Sequence, residues 1–282
     1  MNNAKVWYVT GASQGWGLIL VKKLLNKGYH VAATSRNSGA LQEAVGSTDS
    51  TAFLPLQVDL TNPVDIGQSI QTTLETFGRI DVVFNNAGYG MAGTVEESTY
   101  EEIEGIFRIN VQATVEVVRH VLPVMRSQQG GYIINMGSAA GFAGAPGWAI
   151  YSATKAAVAA FSEVLALDVK EFGIRVTVLE PSGFRTGFLT RDSLVYSESK
   201  IDGYRAVKQT QERYLATDGR QAGDPARASD ILIQLAESET PPLHLFLGQD
   251  AYKRASAKLE SMAVEIEQWK ETTIGSDFPP GS

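Results

Sequence analysis

Two kinds of segment follow one another along the chain and differ in the spacing of their apolar residues. Continuous apolar runs rich in β-branched residues predict seven strands, at 6–10, 30–35, 52–58, 80–85, 132–136, 174–180 and 243–247. Between several of them, apolar residues recur at helical spacing, as in 18–25, 63–78 and 100–127. Continuous rather than alternating apolar strands are typical of a parallel sheet buried on both faces. The pattern therefore predicts an α/β fold with a doubly wound, parallel seven-stranded sheet.

Three stretches depart from this regular alternation. Pro123 lies inside the predicted helix 100–127, which predicts a kink or break near Leu122. Residues 182–224 are the least regular stretch and follow the sixth strand, so we expect this lid segment to cover the crevice at the carboxyl edge of the sheet. Residues 249–282 predict a C-terminal helical tail, with a charged helix at 251–270 and a loose end. No change in composition marks a second domain, so 1–282 is predicted to be a single domain.

Composition and charge exclude several classes of function. The net charge of −7 argues against general binding to nucleic acid. No apolar run approaches the ~20 residues of a membrane span, and the first residues do not resemble a secretory signal. The absence of cysteine excludes disulfides and thiolate chemistry, and the three histidines share no ligand spacing, so no metal site is predicted. We expect a cytoplasmic protein.

Tyr151 and Lys155 are the strongest candidates for chemistry. They are four residues apart at the start of a helical stretch, so both side chains lie on one face. A free tyrosine has a pKa of about 10, and a cation within roughly 4–6 Å lowers it. The pair is therefore predicted to act as a general acid and base near neutral pH.

A glycine-rich turn joins the first strand to the first helix. Gly11 permits a tight turn, while Gly15 and Gly17 permit close approach of backbone and helix. The helix N-terminus then offers N–H groups to a pyrophosphate, which predicts a dinucleotide site. The other residues of this turn that we expect at the cofactor are Ser13, Gln14 and Trp16.

The residues at the end of the second strand indicate whether NAD(H) or NADP(H) is the preferred cofactor. An acidic residue is typical there when NAD is bound, but Ser35 and Arg36 occupy the place. An arginine can bind a 2′-phosphate, so NADP(H) is predicted in preference to NAD(H). A surface arginine without a ligand is the alternative, and the neutral Gln14 adds no second cation.

Further candidates follow the third and fourth strands. Asp59, with Leu60 beside it, could accept a hydrogen bond from an adenine amino group or could mark the start of a helix. We expect a mainly structural turn beside the nucleotide at Asn86, Ala87 and Gly88. Asn110 lies in an apolar helix, where asparagine is unfavourable, so it is expected to have a partner unless it is exposed.

Together with Ser138, Pro181, Gly183 and Thr186, these residues resemble the short-chain dehydrogenase/reductase family over positions 5–248. The resemblance implies a Rossmann fold. It also implies that Tyr151 is the acid/base, that Lys155 lowers its pKa and binds the nicotinamide ribose, and that Ser138 polarises the substrate oxygen. Asn110 would support a water chain to Lys155. Pro181, Gly183 and Thr186 would lie beside the nicotinamide.

The predicted function is that of an NADP(H)-dependent oxidoreductase. It would interconvert a hydrophobic ketone and a secondary alcohol, because the residues after Ser138 and in the lid segment are mostly apolar and aromatic. The alternatives are an NAD(H)-dependent alcohol dehydrogenase and a non-catalytic nucleotide-sensing regulator. Family members often pair through the two helices that correspond to 111–121 and 156–161, so a homo-oligomer, in particular a dimer, is expected.

Overall fold

The computed structural model describes residues 4–46, 49–190, 193–197 and 201–278. The strands are β1 (Val6–Val9), β2 (His30–Ser35), β3 (Phe53–Gln57), β4 (Val82–Asn85), β5 (Gly90–Ala92), β6 (Gly131–Met136), β7 (Ile174–Pro181), β8 (Leu194–Tyr196) and β9 (His244–Leu247). The helices are α1 (Gly15–Asn26), α2 (Ser38–Val45), α3 (Pro63–Phe77), α4 (Tyr100–Phe107), α5 (Ala113–Gln128), α6 (Ala139–Phe142), α7 (Ala149–Asp168), α8 (Arg205–Ala216), α9 (Pro225–Glu237), α10 (Gln249–Gln268) and α11 (Lys270–Ile274). The predicted lid segment and tail also include 191–192, 198–200 and 279–282, which lie outside the described residues.

Seven of the strands form one parallel sheet in the order β3-β2-β1-β4-β6-β7-β9. This confirms the predicted α/β class and sheet. The strand order reverses between β1 and β4, and in doubly wound sheets the ligand crevice opens at that point, outside the carboxyl ends of the strands.

Helices cover both faces of the sheet. On one face, Trp7 and Val9 pack with apolar residues of α1, α2 and α9, whereas Tyr8 points to the other face and packs with α3, α5 and α7. Neighbouring residues of one strand are therefore both buried, which is why the strand sequences do not alternate between apolar and polar.

Local sequence accounts for where several helices begin and end. The side chain of Asn62 accepts a hydrogen bond from the backbone N–H of Val64, Pro63 occupies the first turn of α3, and Gly78 ends that helix with φ of 77°. Thr99 and Glu102 form a reciprocal capping box at the start of α4.

The helix does not break near Leu122. Pro123 lies within α5, which continues to Gln128. The helix instead departs from α-helical geometry fifteen residues earlier, in a π-helical segment at Arg108–Gln112 between α4 and α5. This segment carries Asn110, and such segments often occur at functional sites.

The lid segment contains β8 and α8 and is attached to the rest of the fold. β8 pairs in parallel with β5 in a separate two-stranded sheet. The buried carboxylate of Glu97 accepts hydrogen bonds from the backbone N–H groups of Thr94 and Ile201, at 2.8 Å and 2.9 Å. Apolar residues of the segment join a third cluster with Trp148 and Tyr151.

The C-terminal helix α10 contacts the short helix α6. Arg254 donates to the carbonyl of Ala143, and Lys258 donates to the carbonyl of Phe142. The Phe142 ring also packs against Phe246 of β9, with ring centres 5.3 Å apart. The first part of α10 therefore braces α6, while residues 259–278 are exposed.

Candidate active site

The candidate residues meet at the carboxyl edge of the sheet. β1 leads into the glycine turn, β4 into residues 86–88, β6 into Ser138 and β7 into Pro181. The start of α7 brings Tyr151 and Lys155 to the same edge. The parallel sheet therefore collects side chains that are far apart in the sequence.

Tyr151 and Lys155 share one face of α7, and both are buried, with 6% and 3% of their surfaces exposed. The Lys155 ammonium nitrogen lies 5.9 Å from the centre of the Tyr151 ring. It donates a hydrogen bond to the backbone carbonyl of Met136, at 2.8 Å. Burial lowers the pKa of Lys155 to about 8, because a cation is poorly solvated there.

Ser138 connects the end of β6 to Tyr151. Its hydroxyl accepts a hydrogen bond from the backbone N–H of Ala140 at 3.1 Å, which caps α6, and it shares a hydrogen bond with the Tyr151 phenol. We predicted that Lys155 lowers the pKa of Tyr151. In the structure, burial raises the pKa of Tyr151 to about 12, and the bond to Ser138 offsets only part of this rise.

Asn110 is buried and has partners, as expected of an asparagine in this helix. Its side chain exchanges two hydrogen bonds with the backbone of Tyr89, at 3.0 Å and 2.9 Å, and lies 3.2 Å from the Thr154 hydroxyl. Gly88 lies between Asn110 and Lys155: a Cβ atom at Gly88 would be 2.9 Å from Asn110 Oδ1 and 3.5 Å from Lys155 Nζ. The water chain from Asn110 to Lys155 stays a prediction.

The glycine turn can hold an anion. Gly11 and Gly15 have φ of 66° and 57°, and a Cβ atom at Gly17 would lie 2.6 Å from the Gly11 carbonyl oxygen. Gln14 makes no side-chain cap at α1, and the first turn of α1 has no acidic residue, so the first N–H groups of the helix remain available. Ser13 lies in this turn and is partly exposed.

The Trp16 side chain packs the glycine turn from inside. Its ring is buried, stacked on Phe184 at 5.0 Å and edge-on to Phe84 at 6.4 Å. The side chain therefore packs the turn against the lid segment, and only the Trp16 backbone faces the anion site at the start of α1.

Arg36 and Asp59 mark the other end of the crevice. Arg36 is exposed, and the structure gives its guanidinium no hydrogen bond or ion pair with any described residue. Ser35 accepts a hydrogen bond from the N–H of Asn37 at 3.2 Å. Two hydrogen bonds from Thr61, with a smaller contribution from the charge of Arg36, lower the pKa of Asp59. Leu60 follows at this end and is half-buried.

The turn after β4 is bonded to the glycine turn, and its place beside a nucleotide stays a prediction. The Thr10 hydroxyl accepts hydrogen bonds from the backbone N–H groups of Asn86 and Ala87, at 3.0 Å and 3.1 Å. The Asn86 side chain in turn donates to the carbonyls of Thr10 and Gly11. These bonds hold the turn against the glycine turn. Sequence reasoning overlooked Thr10, although its place at the end of β1 indicates such a role.

Residues after β7 reach the glycine turn from the other side. The carbonyl oxygen of Thr186 would lie 2.9 Å from a Cβ atom at Gly15, so glycine is needed there. Pro181 ends β7, and Gly183 follows it with a backbone N–H···O bond from Gly223 to its carbonyl, at 3.0 Å. The lid segment thus begins beside the anion site.

The apolar and aromatic residues that the sequence indicates after Ser138 and in the lid segment form an aromatic wall around Tyr151. The ring centres of Trp148 and Phe188 lie 5.5 Å and 5.7 Å from that of Tyr151, and Tyr214 lies 5.0 Å from Trp148. The spacing of Trp148, three residues before Tyr151, could have indicated a shared face. Sequence reasoning missed Tyr214, which approaches only through the fold of the lid segment, so no local pattern indicates it.

Two further results limit the possible sites. No group of three histidine, aspartate or glutamate side chains that could hold a metal ion occurs within the described ranges. Among the helices that the structure describes, only α7 has the length and apolar composition of a membrane span. Its buried residues, including Tyr151, Lys155 and Val158, pack within the fold, as in the core helix of a globular domain.

Comparisons with known proteins agree on one family. The short chain dehydrogenase family model matches residues 5–194. The chain is 35% identical to oxidoreductase BOA17 of Botryotinia fuckeliana, over 96% of this chain and 99% of that protein. It is 32% identical to a 3-ketodihydrosphingosine reductase of Bacteroides thetaiotaomicron, over 85% of this chain and 86% of that protein. A crystal structure of a short-chain dehydrogenase from Streptomyces avermitilis is similar, with a TM-score of 0.89 and 34% identity over 97% of this chain and 100% of that one.

Proposed function

The chain belongs to the short-chain dehydrogenase family and is an oxidoreductase, and from this premise we propose that it reduces a hydrophobic ketone to a secondary alcohol with NADPH, in the cytoplasm. The observation that carries the proposal is the buried group formed by Ser138, Tyr151 and Lys155 at the carboxyl edge of the sheet. Such a group supplies a proton to an oxygen atom, whereas a nucleotide sensor has no need of one.

The residues present fit a nicotinamide dinucleotide. The uncapped start of α1 and the glycine cradle suit its pyrophosphate. The unpaired guanidinium of Arg36 suits a 2′-phosphate, and no carboxylate occupies position 35 to repel it. Lys155, which has a single hydrogen bond to protein at Met136, keeps donors for ribose hydroxyls.

When bound, the cofactor supplies a hydride to the carbonyl carbon of the substrate. Tyr151 donates its phenolic proton to the carbonyl oxygen, while Ser138 donates a hydrogen bond to the same oxygen. The pKa of about 12 keeps Tyr151 protonated at neutral pH, which suits a proton donor. The nearby ammonium of Lys155 stabilises the phenolate that remains, and Asn110 supports the path by which solvent returns the proton.

Two observations support a hydrophobic ketone as the substrate. The surroundings of Tyr151 are apolar and aromatic and include Met91, Leu189 and Phe188. The Bacteroides relative is named as a reductase of a keto compound. Residues 182–224 act as the lid in this proposal, because they cover Tyr151 and contact the glycine turn.

A turnover screen tests the proposal directly. NADPH and NADH are each offered with a panel of aliphatic and aryl ketones, and consumption of the cofactor is followed by absorbance. We expect turnover of apolar ketones with NADPH and at least tenfold less with NADH. Binding of NADPH without turnover of any ketone, also in the reverse direction with alcohols, would favour the sensor. A preference for NADH would favour the NAD-linked alcohol dehydrogenase.

A further inference from the structure

The indole N–H of Trp148 is a buried donor without an acceptor. Trp148 is 4% exposed, and its Nε1 makes no hydrogen bond with any described residue. A buried donor without a partner costs free energy, so native structures satisfy most such groups. Two explanations follow. Either the unpaired N–H only destabilises the fold and has no function, or a bound ligand provides its acceptor.

The position of Trp148 favours a ligand. Its ring lies between Tyr151 and Tyr214, at centre distances of 5.5 Å and 5.0 Å. The surrounding cluster is apolar and includes Met91 of β5 and Leu189 of the lid segment. Tyr151 is only 6% exposed beneath these residues, so a substrate that reaches the phenol must part the cluster that encloses the indole.

Two other buried indoles show why the location matters. Trp7 Nε1 and Trp16 Nε1 also lack a partner among the described residues. Trp7 lies on β1, in the core between the sheet and α1, and Trp16 packs against Phe84 and Phe184. Trp148 combines the same unpaired donor with direct ring contact to Tyr151, which neither of the other two has.

We propose that the indole N–H of Trp148 binds a second acceptor oxygen of the substrate. This inference rests on the proposed function and narrows its substrate class. The substrate is a hydrophobic ketone that carries another carbonyl, ester or ether oxygen a few bonds from the reacting carbonyl, as in a β-keto ester or a 1,3-diketone. The rings of Trp148 and Tyr151 are adjacent, with centres 5.5 Å apart and planes inclined at 70°, which fits the spacing of two oxygens a few bonds apart.

The chemistry of this site discriminates among ketones. A substrate with the second oxygen satisfies the indole, whereas an isosteric hydrocarbon chain leaves it unpaired. Sites that hydrogen-bond a polar group reject analogues lacking it more strongly than apolar pockets reject a missing methylene. Trp148 is thus a specificity-determining residue, and Tyr151 and Ser138 remain responsible for the reacting oxygen.

The test compares two ketones of equal chain length. Ethyl benzoylacetate carries an ester beyond its ketone, and hexanophenone has methylene and methyl groups in place of the ester atoms. The variant Trp148→Phe keeps an aromatic ring but lacks the N–H. We expect this variant to lower kcat/KM for ethyl benzoylacetate by about tenfold and that for hexanophenone by less than about twofold. For each ketone, kcat/KM of the variant is divided by kcat/KM of wild type. This ratio cancels the difference in intrinsic reactivity between the two ketones.

The matched control is Trp7→Phe, which removes an equally unpaired indole N–H from the core. We expect it to lower the melting temperature without changing the preference between the two ketones. If Trp148→Phe reduces kcat/KM for both ketones by the same factor, Trp148 only packs against Tyr151 and the inference is overturned.

A binding measurement separates this inference from the proposed function. Dissociation constants of both ketones are measured by calorimetry for wild type and Trp148→Phe in the presence of NADP⁺. The inference holds if Trp148→Phe binds ethyl benzoylacetate about tenfold more weakly than wild type does and binds hexanophenone equally well. If, in addition, wild type turns over neither ketone, the inference holds and the proposed reduction fails. Equal binding of ethyl benzoylacetate by both proteins overturns the inference whatever the turnover.

Discussion

Lys155 and Tyr151 lie one helical turn apart on α7, with the ammonium nitrogen 5.9 Å from the centre of the phenol ring. Lys155 directs its hydrogen bond to Met136, whereas the Tyr151 hydroxyl is bonded to Ser138. Lys155 is not among the groups that shift the pKa of Tyr151, which are burial, the bond to Ser138 and the Tyr214 phenol. We expect the ammonium to act once a phenolate forms during turnover.

Replacement of Tyr151 by phenylalanine tests the proton donor. The variant removes only the ionisable oxygen, so the fold and nucleotide binding should persist. We expect kcat to fall by about 10²–10⁴-fold, the usual contribution of a positioned acid. Steady-state kinetics with a ketone found in the screen measures kcat, and fluorescence titration with NADPH measures binding. A variant that retains more than about a tenth of wild-type kcat contradicts the role of Tyr151.

Replacement of Lys155 by methionine should stabilise the free protein while it abolishes turnover. Burial lowers the pKa of Lys155 from 10.5 to about 8. The penalty for the buried charge is therefore full below pH 8 and is relieved as the pH rises from 8 to 10.5, because there only the unfolded state binds the proton. Methionine removes the penalty but loses the bond to Met136, which leaves a net gain of roughly 2 kcal/mol at pH 7. Thermal unfolding should show a melting temperature raised by a few degrees, and nucleotide affinity should fall.

The titration of Lys155 also predicts the pH dependence of activity. If the charged ammonium is required, kcat/KM for NADPH should fall as the pH rises through about 8, because the charged form is lost there. Tyr151 remains protonated across this range, since its pKa is about 12. Lys155→Arg serves as the control, because a guanidinium stays charged; any activity it retains should be flat between pH 7 and 10. A wild-type profile that is flat over the same range would falsify the assignment.

Arg36 sets the expected preference between cofactors. A charge-assisted hydrogen bond contributes roughly 1.5–3 kcal/mol, so Arg36→Ala should raise the Kd for NADPH by about ten- to a hundredfold and leave that for NADH almost unchanged. Ser35→Asp should weaken NADPH further through repulsion and provide an acceptor for ribose hydroxyls. Both affinities are measured at one salt concentration, since this exposed site is partly screened. Equal weakening of both cofactors by Arg36→Ala would show a general nucleotide contact.

The outer face of α7 offers a test of the expected dimer. Val164 and Leu167 lie just beyond the expected contact segment 156–161 and are 58% and 75% exposed. In a dimer through this helix we expect a second copy to cover them. We expect light scattering at micromolar concentration to give twice the chain mass of 30.4 kDa. Leu167→Glu should shift the mass to that of the monomer. If wild type is a monomer, the helices that contain residues 111–121 and 156–161 pack only within their own chain.

Much of the fold follows from local sequence. Continuous apolar strands, the glycine turn and the Tyr151–Lys155 spacing predict the sheet and the meeting place of the catalytic candidates. The departures arise from contacts distant in sequence. The pKa of Tyr151 depends on burial by the lid segment. The spacing of apolar residues along α7 does not indicate this burial. The π-helical segment carries Asn110, whose side chain bonds to the distant Tyr89 backbone, whereas Pro123 lies within α5.

The hydrogen bonds between α10 and α6 connect the catalytic centre to the C-terminal part of the chain. The matched family model stops at residue 194, yet Arg254 and Lys258 hold the helix that begins directly after Ser138. We therefore expect substitutions near residue 254 to change the orientation of the Ser138 hydroxyl, although these residues do not contact substrate or cofactor. Divergence among related enzymes need not begin in the pocket: α10 offers a remote means of changing the same chemistry.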